Sequence, residues 1–97
     1  MPSHAPRTLA PIKQQETLAK YEARLRHALA SSAHEDKVAI AAERVRRSHL
    51  SILKARRELL RYEPETPEKT RQMESMDAVA QLWVAFSVQE IAKRYGA

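Results

Sequence analysis

The chain has no cysteine, and its single glycine, Gly96, stands next to the last residue. Without cysteine there is no disulfide, no thiolate zinc site and no cysteine nucleophile. With one glycine there is almost no residue that takes positive φ cheaply, which argues against tight hairpins, glycine-rich phosphate loops and a β-sheet protein. A long hydrophobic run is missing too. The most apolar stretch, residues 78–92, is shorter than a membrane span and contains Gln81, Ser87, Gln89 and Glu90. Residues 1–13 hold Pro2, Pro6 and Pro11 among polar residues and lack the apolar core of an export signal. These absences lead us to expect a cytoplasmic protein with no membrane span.

What remains is an ordinary globular composition. Of 97 residues, 43% are hydrophobic and 30% charged, enough for one folded domain with a modest core. The formal charge of +5 favours anionic partners, nucleic acid or acidic protein surfaces among them.

The apolar spacing is helical throughout. Val38, Ala41, Ala42, Val45, Ile52, Ala55, Leu59 and Tyr62 recur at the three- and four-residue intervals of an amphipathic helix, with no glycine or proline between them. The spacing predicts a helix over 33–62, ended by Pro64 and Pro67. A capping box at Ser32 and Glu35 would start it, although one continuous helix across 29–36 stays open because no breaker lies at that junction. Before it, Leu18, Tyr21, Leu25, Ala28 and Leu29 share a face and predict a helix over 11–30, preceded by a flexible arm over 1–10. After it, Thr66, Pro67 and Glu68 supply a cap, a first-turn proline and an acid for a third helix over 67–95, with Gly96 as its stop. Within that third helix the apolar residues lie nearly all round, which predicts a central helix or one that also serves a partner. The alternation of Leu82, Val84, Phe86 and Val88 is also strand-like, but no second such segment exists to pair with it. The expected fold is therefore an all-α, three-helix antiparallel hairpin bundle over 11–97, self-associating through its third helix.

Few residues suggest chemistry. None of His4, His27, His34 and His49 has a second histidine at helical zinc spacing, and the acids around His34 suit a helix start. Glu63, Glu65 and Glu68 sit on a proline-bearing connection, where solvated acids are routine. We expect no catalytic residue, metal, cofactor or small-molecule substrate. Three other groups remain. His49 and Arg56 fall within the apolar stripe of the second helix, either as edge residues sending their polar tips to water or as a polar layer that sets register and partner choice. Arg46, Arg47, Lys54, Arg57 and Arg61 share its opposite side, where they form either a solvated face or a track for phosphates. Val79, Leu82, Trp83 and Phe86 make the heaviest apolar patch, serving as core or as an interface. The leading expectation is a non-catalytic interaction module, an adaptor, chaperone-like or regulatory subunit that binds a protein partner and itself. The alternative is a nucleic-acid-binding accessory protein working through the basic side of the second helix.

Overall fold

The chain leaves its first helix through Ser32, whose φ of 54° is the left-handed conformation that glycine would take more cheaply. In the computed structural model, which describes residues 4–96 and the side chains of 12–96, four helices follow one another. They are α1 (His4–Ala30), α2 (Glu35–Leu60), α3 (Pro67–Ala85) and α4 (Val88–Gly96). No strand occurs among the described residues, so the all-helical expectation holds.

Each boundary has a local cause. Around Ser32, the Ala33 N–H reaches the Ala28 carbonyl at 2.9 Å and the Ser32 N–H reaches Leu29 at 3.3 Å. This Schellman pairing uses carbonyls that the helix end would otherwise orphan. It separates α1 from α2 and disposes of a continuous helix. Ser32 therefore closes α1 and does not cap α2; that role falls to His34, whose Nδ1 accepts the Asp36 N–H at 3.1 Å. At the other end of α2, Lys69 reaches back from α3 and donates to the Glu63 carbonyl at 3.0 Å and to Glu65 Oε1 at 2.7 Å. A lysine only 6% exposed is tolerable here because its ammonium is hydrogen-bonded on several sides. Thr66 caps α3 as its sequence implied, accepting from the Lys69 N–H at 3.1 Å.

The expected third helix is in fact two. Phe86 turns extended at φ −62°, ψ 134°, and Ser87 opens α4. The Ser87 hydroxyl accepts the Glu90 N–H at 3.1 Å while Glu90 Oε1 accepts the Ser87 N–H at 3.0 Å. That reciprocal box makes the break stable without glycine or proline, and the hydrogen bonds from Ser87 hold the Glu90 carboxyl below its ordinary range. The N-terminal boundary differs as well. Helical backbone begins at His4, where an arm was expected, and Met1–Ser3 lie outside the described residues. Pro6 is accommodated because first-turn N–H groups have no intrahelical partner.

The centre of the fold is α2 and not the third helix, for which a central place was one of two expectations. It packs against α1, α3 and α4; α4 also touches α1, whereas α3 meets α2 alone. Leu25 of α1, Ala42 and Val45 of α2 and Ile91 of α4 are fully buried together. Leu18, Tyr21, Leu29, Val38, Trp83, Phe86, Val88 and Tyr95 pack around them. The break at Ser87 is what lets Ile91 fold back into this core. Gly96 ends α4 without positive φ; its use is close approach, since a Cβ there would meet Leu29 Cδ1 at 2.6 Å. The molecule is elongated, 48 × 27 × 17 Å, with a Cα radius of gyration of 15.7 Å. A compact chain of this length would have about 12.5 Å.

Candidate functional site

Glu22, His49, Trp83 and Tyr95, one residue from each helix, converge on a single polar and aromatic junction. The Tyr95 hydroxyl donates to Glu22 Oε2 at 2.5 Å. Since that proton is committed, His49 Nε2, 3.3 Å from the Tyr95 oxygen, acts as the donor of its pair. On its face the imidazole stacks on Trp83, with centroids 4.0 Å apart and planes at 16°. Trp83 in turn meets Phe86 edge-on at 5.3 Å. Arginines close the periphery, Arg26 at 5.1 Å from the Tyr95 ring centre and Arg94 at 4.3 Å from that of Phe86.

The electrostatics follow from burial. Desolvation lowers the His49 pKa, and the Glu22 carboxylate, 3.8 Å away, opposes that only in part. Tyr95 is pushed well above the ordinary phenol range by burial first and then by its bond to Glu22. The junction thus holds a neutral imidazole, a permanent phenol donor and a carboxylate, each satisfied by its neighbours. Such an arrangement fixes four helices in register; its hydrogen-bonding groups face one another.

Of the two residues expected in a polar layer, only His49 is in one. Arg56 is exposed and takes no part in the junction. The carboxylate beside His49 is that of Glu22. Sequence reasoning passed over Glu22 and Tyr95. The available signal was an acid beside Leu18, Leu25 and Leu29 on the apolar face of α1, opposite a histidine on the apolar stripe of α2.

The basic side of α2 is not a free track. Arg46 is largely covered; it donates to the Phe86 carbonyl and pairs with Glu43 at 3.2 Å. Arg57 grips Asp77 of α3 through two bonds of 2.9 and 3.2 Å, which hold the Asp77 carboxyl below its usual range. Arg61 pairs with Glu58 at 3.1 Å. Arg47 and Lys54 remain exposed, Arg47 with a long 3.8 Å approach to Glu43. Of the five, only Arg46 is covered; Arg57 and Arg61 are exposed but paired with acids of the same protein.

The apolar patch divides. Trp83 and Phe86 pack on the core, whereas Leu82 is 56% exposed and Val79 37% exposed on the outward side of α3. Val84 is exposed as well, and so is Tyr62, counted at sequence level in the apolar stripe of α2. Among the described residues no three histidines or acids gather as a metal site, and no helix is long and apolar enough to cross a membrane. No protein-family model matches the chain, and no curated protein or solved structure matches it either.

Proposed function

We propose that the chain is a non-catalytic interaction module that offers the outward side of α3 to a protein partner, a second copy of itself. The observation that carries this reading is that α3 rests on α2 alone while Leu82, and to a lesser extent Val79, stays exposed on it. The accessible surface supports it. The chain exposes 6956 Å², where a compact monomer of its mass exposes about 5,700 Å². That excess belongs to the elongated chain as a whole, and the exposed large apolar side chains of α3 are Val79, Leu82 and Val84. Apolar area on α3 would contribute roughly 25 cal/mol per Å² on burial, before association costs.

Light scattering coupled to gel filtration should report a dimer or larger at micromolar concentration. Leu82→Glu should return a folded monomer with an unchanged circular dichroism spectrum. A wild-type chain that stays monomeric at high concentration would sink the reading. The alternative, phosphate contact with nucleic acid along α2, loses support because Arg46, Arg57 and Arg61 are engaged within the protein.

A further inference from the structure

Beside the junction, α1 and α2 part into an open groove of about 360 Å³ lined by Gln14, Thr17 and Tyr21 from one helix and Arg44, Arg47, Ser48 and Ser51 from the other. We propose that this groove binds a phosphate-class oxyanion carried on a small hydroxylated molecule.

Three observations support it independently. The first is spacing. Residues 44, 47, 48 and 51 form one stripe of α2, and 14, 17 and 21 form the facing stripe of α1, so both walls of the seam are polar where helix pairs usually bury leucine. The second is charge. Two arginines line the groove and no carboxylate does. Arg44 lies 5.9 Å over the Tyr21 ring centre and meets no acid among the described residues, leaving its guanidinium edge available. The third is unmet hydrogen bonding. Ser48 is 6% exposed and makes no side-chain hydrogen bond among the described residues, its hydroxyl opening onto the groove. Gln14 Oε1 is also buried without a partner. One buried acceptor and a hydroxyl that opens onto the same small groove are left for a ligand to engage.

The chemistry selects the ligand class. Arg44 and Arg47 suit an oxyanion in charge and planar donor geometry, and the Ser48 hydroxyl adds a donor beside them. Gln14 Oε1 is an acceptor and takes a hydroxyl from the ligand. Thr17 already donates to the Lys13 carbonyl at 3.2 Å, so its oxygen too is left to accept. A groove of this volume lies at the small end of ligand sites. Because α3 contributes no residue to it, this inference stands or falls separately from self-association.

The test is a nuclear magnetic resonance titration of the full-length chain with sodium phosphate, with glycerol phosphate, and with sodium chloride at matched ionic strength. Phosphate and glycerol phosphate should give saturable shifts at the amides of 14–21 and 44–51 and at the arginine side chains of Arg44 and Arg47. The double substitution Arg44→Gln, Arg47→Gln should weaken binding by roughly tenfold or more, since charge-assisted bonds dominate such sites. Ser48→Ala should weaken it by a smaller factor and leave the unfolding midpoint of the phosphate-free protein level or raised, because the hydroxyl has no partner to lose. Equal shifts in chloride, or binding untouched by the double substitution, would overturn the proposal. So would a lowered midpoint in phosphate-free Ser48→Ala, or shifts produced by a DNA oligomer while inorganic phosphate produces none.

Discussion

Where α1, α2 and α4 meet, Leu25, Ala42, Val45 and Ile91 lose all contact with solvent; the only buried residue of α3 is a lysine. The two seams are therefore held by different forces. The first removes apolar surface from water, a cooperative and salt-insensitive contribution. The second relies on Lys69 at one end, the exposed Arg57 and Asp77 pair midway, and Trp83 stacked on His49 at the other end. Exposed ion pairs stabilise little. Few buried apolar contacts and many polar ones are the marks of a segment that opens below the global unfolding free energy. The comparison teaches that α3 is an arm clasped to a body, the part of the fold best able to adjust.

The largest expected effect breaks the body. Leu25→Ala removes a fully buried side chain from the point where three helices meet and should cost about 2–5 kcal/mol, read by urea denaturation. Hydrogen exchange of the same variant separates the two seams. Amides of α1, α2 and α4 that exchange through global unfolding should accelerate by the matching factor, while those of α3, exchanging by local opening, should change little. Equal acceleration in α3 would show that arm and body unfold as one unit.

His49 touches both seams, so its protonation is the next lever. Its folded pKa is depressed by burial, against an ordinary value of 6.5 in the unfolded chain. The unfolded state therefore binds the proton more readily, and the stabilising contribution is complete above pH 6.5 and lost as pH falls from there toward the folded value. Glu22, Tyr95 and Arg26 face the ring or its partners, and the raised Tyr95 phenol keeps its proton across that window. Denaturation midpoints measured from pH 7.5 to 5 should fall in the wild type and fall less in His49→Phe, which keeps a ring on Trp83 but cannot titrate. Parallel pH profiles for the two proteins would remove His49 as the cause. The effect is smaller than that of Leu25→Ala because the ring is only partly desolvated.

Helices, their rough spans and the proline boundary at 63–67 were legible because they rest on periodicity and on residues whose backbone limits are intrinsic. The break at Ser87 was less so, although Ser87 and Glu90 carry the capping spacing, because an apolar run on both sides of them reads as one helix. Which helix is central was not legible at all. Apolar residues all round α3 suggested a buried position, but long-range packing gave that position to α2 and left Leu82 and Val84 in water. In the candidate sites, His49 and Trp83 were each visible singly; their stacking, and the supply of Glu22 and Tyr95 from the ends of the chain, depend on tertiary geometry that no local pattern encodes. The basic stripe failed for a related reason. A helical projection shows which residues share a side, but not that Asp77 and the Phe86 carbonyl will come to meet them.

The smallest effect sharpens the comparison by strengthening one seam only. Ser32 holds φ at 54° between α1 and α2, a conformation that costs a residue with a Cβ roughly 1 kcal/mol and glycine almost nothing. Its backbone N–H is part of the Schellman pairing and survives substitution, and its exposed side chain makes no hydrogen bond among the described residues. Ser32→Gly loses part of the gain to the greater freedom of glycine in the unfolded chain, so a net stabilisation of up to about 0.5 kcal/mol is expected. Global stability, read by urea denaturation, should rise by that amount, and the slowest-exchanging amides of α1 and α2 should slow with it. Exchange in α3 should stay as it was, because opening the arm leaves the Ser32 turn intact in both states. A variant that slows α3 to the same degree would mean that the turn and the arm are coupled through α2, and the picture of a clasped arm on an independent body would have to be abandoned.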